Sequence, residues 1–185
     1  MARRDEEEEA GRRLGLAMRI LSGEISPELV PEAGLEIVFA LRGARTGEDV
    51  AGVEGGIARS GEGVRPRGGV AFGPGRGAAR VVLMAMRTDP DIRSGAVIRF
   101  SPPILAILEG LLLEVCEFDR TREPPGVSTM DWGVASCCRD GVPDVIFDRG
   151  TPGREGLIRI LGEDPVAVAQ TIVSVSHRLS GEPEG

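Results

Sequence analysis

The sequence predicts a single α/β domain in which helices cover a mixed or largely parallel sheet. The chain has 185 residues, which is close to the size of one domain and allows roughly two thirds or more of the surface to be buried on folding. Short apolar runs alternate with segments of helical periodicity, as is typical of α/β folds. We expect a charged N-terminus and amphipathic helix over residues 1–24, the domain over residues 25–179 and a disordered tail over residues 180–185.

Strand-length apolar runs recur along the chain. They are LEIVFALR at 35–42, VIRF at 97–100, LLLEVCEF at 111–118, DVIFD at 144–148 and LIRIL at 157–161. Two glycine-rich stretches, GGIARSG at 55–61 and GVAFG at 69–73, are compatible with either strands or loops. These runs predict the strands of the sheet.

Helices are predicted where apolar residues follow a helical period between capping and breaking signals. Residues 1–10 form a charged run, which predicts a solvated, frayed end before an amphipathic helix of about three turns. Further helices are predicted over residues 76–88, after Pro102-Pro103, over residues 128–139 and from Asp164-Pro165 onward. His177 falls near the end of the last helix, where a surface role favoured by the helix dipole outweighs a catalytic one.

Composition excludes several classes of function. The net charge of −7 opposes the electrostatic attraction that drives nucleic-acid binding. No apolar run is long enough to cross a bilayer, and the N-terminus lacks the apolar stretch of a signal peptide, so we expect a cytoplasmic protein without membrane partners. All 22 basic residues are arginines, so any anion site must use guanidinium groups or backbone amides.

The three cysteines and one histidine match no zinc-binding spacing, so we expect no metal site built by the protein. The cysteines, at positions 116, 137 and 138, are predicted to be buried, small apolar residues in the reduced state.

Two segments are candidate phosphate sites because each places polar groups at the start of a predicted helix. The glycine-rich residues 68–77 lead into a helix on which Arg76 and Arg80 lie four residues apart. The alternative is that residues 68–77 form an ordinary glycine-rich connector and that the arginines are solvated. Residues 126–133 carry the hydroxyls of Ser128 and Thr129, which equally suit capping alone.

Two further segments combine acids with arginines. Residues 148–155 form a turn between two predicted strands, for which an ordinary hairpin is the alternative. Asp119-Arg120 follows a strand at the carboxyl end of the sheet, where ligands bind in α/β folds, and a structural ion pair is the alternative. The residues alone specify no reaction, because the sequence shows no pattern of a nucleophile with its base.

These segments, in this order, resemble the archaeal ThiN-type thiamine-phosphate synthase domain over about residues 25–175. The matching stretches are VPEAG at 30–34, GARTGEDV at 43–50, residues 80–91, FDR at 118–120, STMDWGV at 128–134 and residues 142–162. The resemblance implies condensation of aminopyrimidine-methyl diphosphate with thiazole phosphate. Family members fused to a DNA-binding domain use the same domain as a ligand sensor.

The resemblance also implies losses. Active relatives carry the motifs G-R-I and S-R-H, and the two catalytic positions fall here on Gly56 and Gly77. The sequence also departs from the family at three further polar positions, where it has Glu36, Val97 and Thr151. The expected ligand-binding set is Arg76, Arg99, Asp119, Arg120, Ser128, Thr129, Asp148 and Arg154.

Our leading hypothesis is therefore a domain that binds thiamine phosphate or a related phosphorylated ligand, is impaired in catalysis and acts as a sensor or partner protein. One alternative is an active synthase in which Arg59, Arg65 or Arg76 replaces the missing arginine and Mg²⁺ enters with the diphosphate. The other is an interaction scaffold without enzymatic activity. The expected partner is a small phosphorylated molecule, and self-association into a homodimer is left open.

Overall fold

The computed structural model describes residues 2–74, 76–126 and 129–181. In these ranges the helices are α1 (Arg3–Glu24), α2 (Arg76–Ala85), α3 (Pro102–Gly110), α4 (Thr129–Cys137) and α5 (Pro165–Ser180). The strands are β1 (Glu36–Ala40), β2 (Val50–Val53), β3 (Ile57–Ser60), β4 (Gly63–Pro66), β5 (Val70–Phe72), β6 (Ser94–Arg99), β7 (Val115–Glu117), β8 (Val145–Phe147), β9 (Gly150–Thr151), β10 (Arg154–Glu155) and β11 (Leu157–Gly162).

Seven strands form the main sheet in the order β5-β2-β1-β6-β11-β8-β7. The β7–β8 pair is parallel, and the other neighbours in this sheet pair antiparallel. The prediction of a mixed sheet is confirmed, whereas the largely parallel version of it is wrong. The alternation of strands and helices does not specify which strands become neighbours: β6 and β7 are joined through α3, yet β11 and β8 lie between them.

Helices cover both faces of this sheet. One face packs against α1, α3 and α5 through a core that includes Ile37, Ile98 and Ile158. The opposite face packs against α2 and α4 through a smaller core that includes Val38 and Ile146. Successive strand residues alternate between the two cores, as the two-residue period of a strand requires.

The N-terminal helix is longer than the sequence predicted. It begins at Arg3, so most of the charged run predicted to be a frayed end is helical. Ion pairs between Arg3 and Glu7 and between Arg4 and Glu8 have the spacing that supports a helix. Ala10 is already buried in the core. The proposed division of the chain at residue 24 stays a prediction.

Local capping signals explain where the later helices begin. The Ser101 hydroxyl accepts a hydrogen bond from the Ile104 amide ahead of α3, and the Asp164 carboxylate accepts one from the Val166 amide ahead of α5. The last helix ends at Ser180 and is capped by Gly181, whose φ of 74° is left-handed. Residues 182–185 of the predicted tail lie outside the described residues.

The prediction of three reduced cysteines is wrong. A disulfide joins Cys116 of β7 to Cys137 of α4, and Cys138 alone remains a buried thiol whose pKa is raised by burial. The bonded pair is separated by 21 residues. The two cysteines meet because β7 is an edge strand beside α4, and no local pattern in the sequence indicates that contact. None of the described helices is long and apolar enough to span a membrane.

Candidate functional site

Charged side chains from several strands meet at one edge of the main sheet. Strands β1 and β11 begin at this edge, and β6 and β8 end there. In the register of the sheet, Glu36 lies opposite Val97, and Val97 lies opposite Arg159. These three residues therefore form one row on the sheet face covered by α2 and α4. Arg99 lies two residues beyond Val97 and faces the same side.

The helices α2 and α4 begin at the same edge. Arg80 in the first turns of α2 pairs with Asp131 near the start of α4 at 2.7 Å, and Thr88 just beyond α2 donates to the Cys138 carbonyl just beyond α4. The two helices thus run side by side in the same direction. The start of α2 contacts the row directly through the Ala78 amide and Glu36, and the positive end of this helix favours negative charge there.

A buried cluster of two arginines and one aspartate occupies the β8 and β11 side of this edge. Arg120 Nε lies 2.7 Å from Asp148 Oδ1, and Arg159 Nη1 lies 3.0 Å from Asp148 Oδ2. The side chains of Arg159 and Asp148 are 0% and 1% exposed, and that of Arg120 is 12% exposed. Because two guanidinium groups share one carboxylate, the cluster carries a net positive charge.

Arg159 is buried by aromatic as well as ionic contacts. Its guanidinium carbon lies 5.0 Å from the centre of the Phe118 ring, in cation–π geometry. Burial lowers the pKa of Arg159, and the neighbouring carboxylate of Asp148 opposes that shift. Arginine nevertheless keeps its proton in proteins, so the positive charge persists.

Asp148 is held by the turn that follows β8. Its Oδ1 accepts a hydrogen bond from the Gly150 amide at 2.9 Å, which is the geometry of an aspartate-initiated turn. Gly150 has a φ of 76°, and a Cβ there would lie 2.4 Å from the Arg154 carbonyl oxygen, so only glycine fits. The β9–β10 hairpin follows directly, with Arg154 opposite Thr151, so the segment takes the hairpin form that the sequence left as an alternative.

A carboxylate occupies the start of α2, at the other end of the row. Glu36 Oε2 accepts a hydrogen bond from the Ala78 amide at 2.8 Å. An ideal Cβ at Gly77 would lie only 2.8 Å from the same oxygen. The helix start that the sequence suggested as a phosphate cradle therefore holds a carboxylate of the chain itself. Gly75 and the side chain of Arg76 lie outside the described residues.

Gly56 lies where β1 meets the start of β3. Its φ is 72°, and an ideal Cβ would lie 2.9 Å from the Leu35 carbonyl oxygen. Neighbouring Gly55 packs against Arg67, whose Nη1 donates to the carbonyls of Ala33 and Gly55, both at 3.1 Å. Any side chain at position 56 would be strained in this backbone.

Residues 13–174 match the family model of the thiamine-phosphate synthase ThiN. The chain belongs to the ThiN family. It is 36% identical over 147 residues to the bifunctional thiamine biosynthesis protein ThiDN of Methanocaldococcus jannaschii, a match covering 78% of this chain and 35% of ThiDN. It is 32% identical over 170 residues to the thiamine-phosphate synthase ThiN of Methanothermobacter thermautotrophicus, covering 86% and 87% of the two chains.

The fold agrees with this assignment. The crystal structure of the C-terminal domain of protein MJ0236 superposes with a TM-score of 0.87 at 32% identity, covering 95% of this chain and 97% of that one. The present chain thus spans about a third of the length of ThiDN and most of the length of the single-domain ThiN. The resemblance inferred from the sequence is confirmed: this chain is a domain of the ThiN family, whose model carries the description thiamine-phosphate synthase.

The structure brings together some of the residues expected to bind the ligand of this ThiN domain. Arg120 and Asp148 meet in the buried cluster, and Arg99 lies along the same sheet face. Ser128 lies outside the described residues, as does the side chain of Thr129. Arg154 is exposed on the hairpin. The ligand-binding role of each remains a prediction.

Asp119 makes local contacts. It accepts hydrogen bonds from the amide and hydroxyl of Thr121, which lower its pKa, and so caps the turn over residues 120–122. The ion pair considered between Asp119 and Arg120 is not formed, because Arg120 pairs with Asp148.

The sequence analysis does not identify Arg159, which lies in the apolar run LIRIL. The only feature of the sequence that points to it is the presence of a charged residue in a strand predicted to be buried.

The arginines considered as substitutes for the missing family arginine have different surroundings. Arg59 donates to the Val30 carbonyl at 2.7 Å, and Arg65 is an exposed residue of β4. Arg59 and Arg67 both line a cleft of about 240 Å³. Arg67, which donates to the Gly55 carbonyl, is a further arginine at this place. In residues 2–74, 76–126 and 129–181, no cluster of histidine, cysteine or acidic side chains suited to a metal ion is present.

Proposed function

We propose that this ThiN domain binds thiamine phosphate or a related phosphorylated ligand at the described sheet edge, turns over little or no substrate, and acts as a sensor or partner protein in thiamine metabolism. The observation that carries the proposal is the buried, net positive cluster of Arg120, Asp148 and Arg159 at an edge whose two family catalytic positions are glycines. The site therefore keeps positive charge that can bind an anion, but it lacks the two side chains that the resemblance assigns to catalysis.

The charge at this edge supports phosphate binding. Arg99 is 47% exposed and pairs only loosely with Glu155, at 3.9 Å, so it can reach a ligand, whereas Arg120 and Arg159 are held in place by Asp148. Fixed guanidinium groups suit phosphate because they offer several donors in a planar arrangement. A hydrogen bond to a charged group contributes about 1.5–3 kcal/mol, and exposure places Arg99 at the lower end of that range.

The surroundings of the two glycines support impaired catalysis. A side chain at position 56 would meet the Leu35 carbonyl, and one at position 77 would have to displace the Glu36 carboxylate. Loss of one electrostatic partner of a transition state typically costs about 2–4 kcal/mol. Two such losses would reduce turnover by several orders of magnitude.

One observation favours the alternative of an active synthase. The guanidinium of Arg67 bonds to the Gly55 carbonyl, directly beside the position where the family places its catalytic arginine. In that case Arg67 would stabilise charge on the leaving diphosphate, and Mg²⁺ would enter with the substrate. Arg67 rather than Arg59 is the residue to test, because Arg59 is bound to the Val30 carbonyl.

The test combines calorimetric titration of thiamine phosphate with an assay of thiamine-phosphate formation from aminopyrimidine-methyl diphosphate, thiazole phosphate and Mg²⁺. We expect binding without product. Arg99→Ala should weaken binding about tenfold, corresponding to roughly 1.4 kcal/mol. Arg4→Ala, which removes an exposed arginine of α1 on the opposite face of the sheet, should leave it unchanged.

Other outcomes identify the alternatives. Steady turnover by the wild type that is lost in Arg67→Ala would replace this proposal by the active synthase. Failure of thiamine phosphate and both synthase substrates to bind would instead favour the scaffold hypothesis.

A further inference from the structure

We infer that Glu36 makes this site selective for the charge of its ligand. Its carboxylate excludes phosphate and pyrophosphate from the α2 end of the site and favours a ligand that places an N–H donor or a cationic group there. The inference deepens the proposed function and depends on the same site.

The Glu36 carboxylate takes the place that an external anion would take. The first amides of a helix have no partner within the helix, and they bind anions with help from the helix dipole. Here the Ala78 amide in the first turn of α2 donates to Glu36 Oε2 at 2.8 Å. A phosphate approaching these amides would have to displace a carboxylate tied to the sheet, and it would meet like charge at close range.

Gly77 makes this arrangement possible. A Cβ at this position would lie 2.8 Å from Glu36 Oε2, which is closer than real Cβ contacts come. A side chain at position 77 would therefore require the end of the Glu36 side chain to shift from the position in which it accepts the Ala78 amide. In the resemblance to the ThiN family both positions depart from the pattern, and the structure shows that they touch.

The row of the sheet gives the site two ends of opposite charge. Glu36 and Arg159 lie on the same face, two strands apart with Val97 between them. Neighbouring strands are about 4.8 Å apart, so the two backbone positions are separated by roughly 10 Å. Arg159 is 0% exposed and acts on a ligand only through its charge, whereas Arg99 on the same face is 47% exposed and open to direct contact. A ligand with phosphate at the arginine end and an amine or a cationic ring at the Glu36 end matches this arrangement, whereas an ion that is anionic throughout does not.

The experiment measures inorganic pyrophosphate and thiamine phosphate binding to the wild type and three variants by calorimetry. Glu36→Gln keeps an oxygen acceptor for the Ala78 amide and removes the charge. Glu36→Asp keeps the charge and shortens the side chain. Glu109→Gln makes the same change in net charge on the exposed surface of α3, on the opposite face of the sheet. Thermal unfolding of each variant reports whether the fold is kept.

We expect weak pyrophosphate binding to the wild type and a gain of roughly tenfold or more in Glu36→Gln, because the ligand carries several negative charges close to the one removed. Thiamine phosphate should bind Glu36→Gln several-fold more weakly, so that the preference between the two ligands shifts. Glu36→Asp and Glu109→Gln should show no such gain for pyrophosphate.

A folded Glu36→Gln variant with unchanged pyrophosphate affinity would overturn the inference, as would an equal gain in Glu36→Asp, which would indicate a steric effect rather than a charge effect. The pyrophosphate arm does not require thiamine phosphate to be the ligand. A gain for pyrophosphate in Glu36→Gln, with no binding of thiamine phosphate or of either synthase substrate to the wild type, would support the role of Glu36 and refute the proposed function.

Discussion

Replacing Asp148 by asparagine should lower the free energy of unfolding by about 3–5 kcal/mol, the usual cost of removing one partner from a buried ion pair. The substitution keeps the size of the side chain and an oxygen for the Gly150 amide, so the loss is electrostatic. It leaves Arg120 and Arg159, whose side chains are 12% and 0% exposed, without their shared carboxylate. The Arg159 guanidinium, which is fully buried, cannot recover solvation by turning outward while the core stays packed.

Glu117→Gln is the matched control. Glu117 also pairs with an arginine, Arg149, at 2.8 Å, compared with 2.7 Å between Arg120 and Asp148. Both side chains of the control pair are about half exposed, at 44% and 55%. Exposed ion pairs typically contribute about 0.2–1 kcal/mol, so the control should change stability by less than about 1 kcal/mol. Because the two ion pairs have similar distances and differ in burial, the difference in stability between the two variants measures the effect of desolvation.

Urea unfolding at 25 °C measures both variants, and comparison at an unchanged m value keeps the two-state analysis valid. A cost for Asp148→Asn as small as that for Glu117→Gln would refute the reasoning. It would mean that water reaches the cluster and that the two guanidinium groups are not desolvated. The cluster would then give no preorganised positive charge to the proposed phosphate site.

Two further predictions concern parts of the fold away from that cluster. The Cys116–Cys137 disulfide spans 21 residues. Its reduction should lower the free energy of unfolding by about 3 kcal/mol and the melting temperature by roughly 6–12 °C. The variant with serine at both positions should melt at the lower temperature with or without reductant. The pKa of Asp49 lies below its ordinary value of 3.8 because the Arg45 amide and the Arg3 side chain bond to the carboxylate. A lowered folded-state pKa contributes stability above the unfolded-state pKa and loses it as pH falls. Asp49→Asn should therefore destabilise the protein at pH 7, with the difference from wild type closing below about pH 4; a difference independent of pH would contradict this.

The starts of α3 and α5 and the family could be predicted from the sequence because their signals are local. The Ser101 hydroxyl before a proline pair and the Asp164 carboxylate before Pro165 cap helices through amides two or three residues away. The turn at Asp148 and Gly150 depends on one hydrogen bond within three residues. The ThiN resemblance likewise depends on short motifs in a fixed order, which can be read without knowing how the strands pair.

The site required the tertiary structure because its contacts join residues far apart in the chain. Glu36 meets Ala78 across 42 residues, and Asp148 gathers Arg120 and Arg159 from two different elements. The strand order and register that create these contacts follow from packing both sheet faces at once, which no single segment encodes. A charged residue inside an apolar run indicates that something is unusual at Arg159, but only the neighbouring strands decide which carboxylate it contacts.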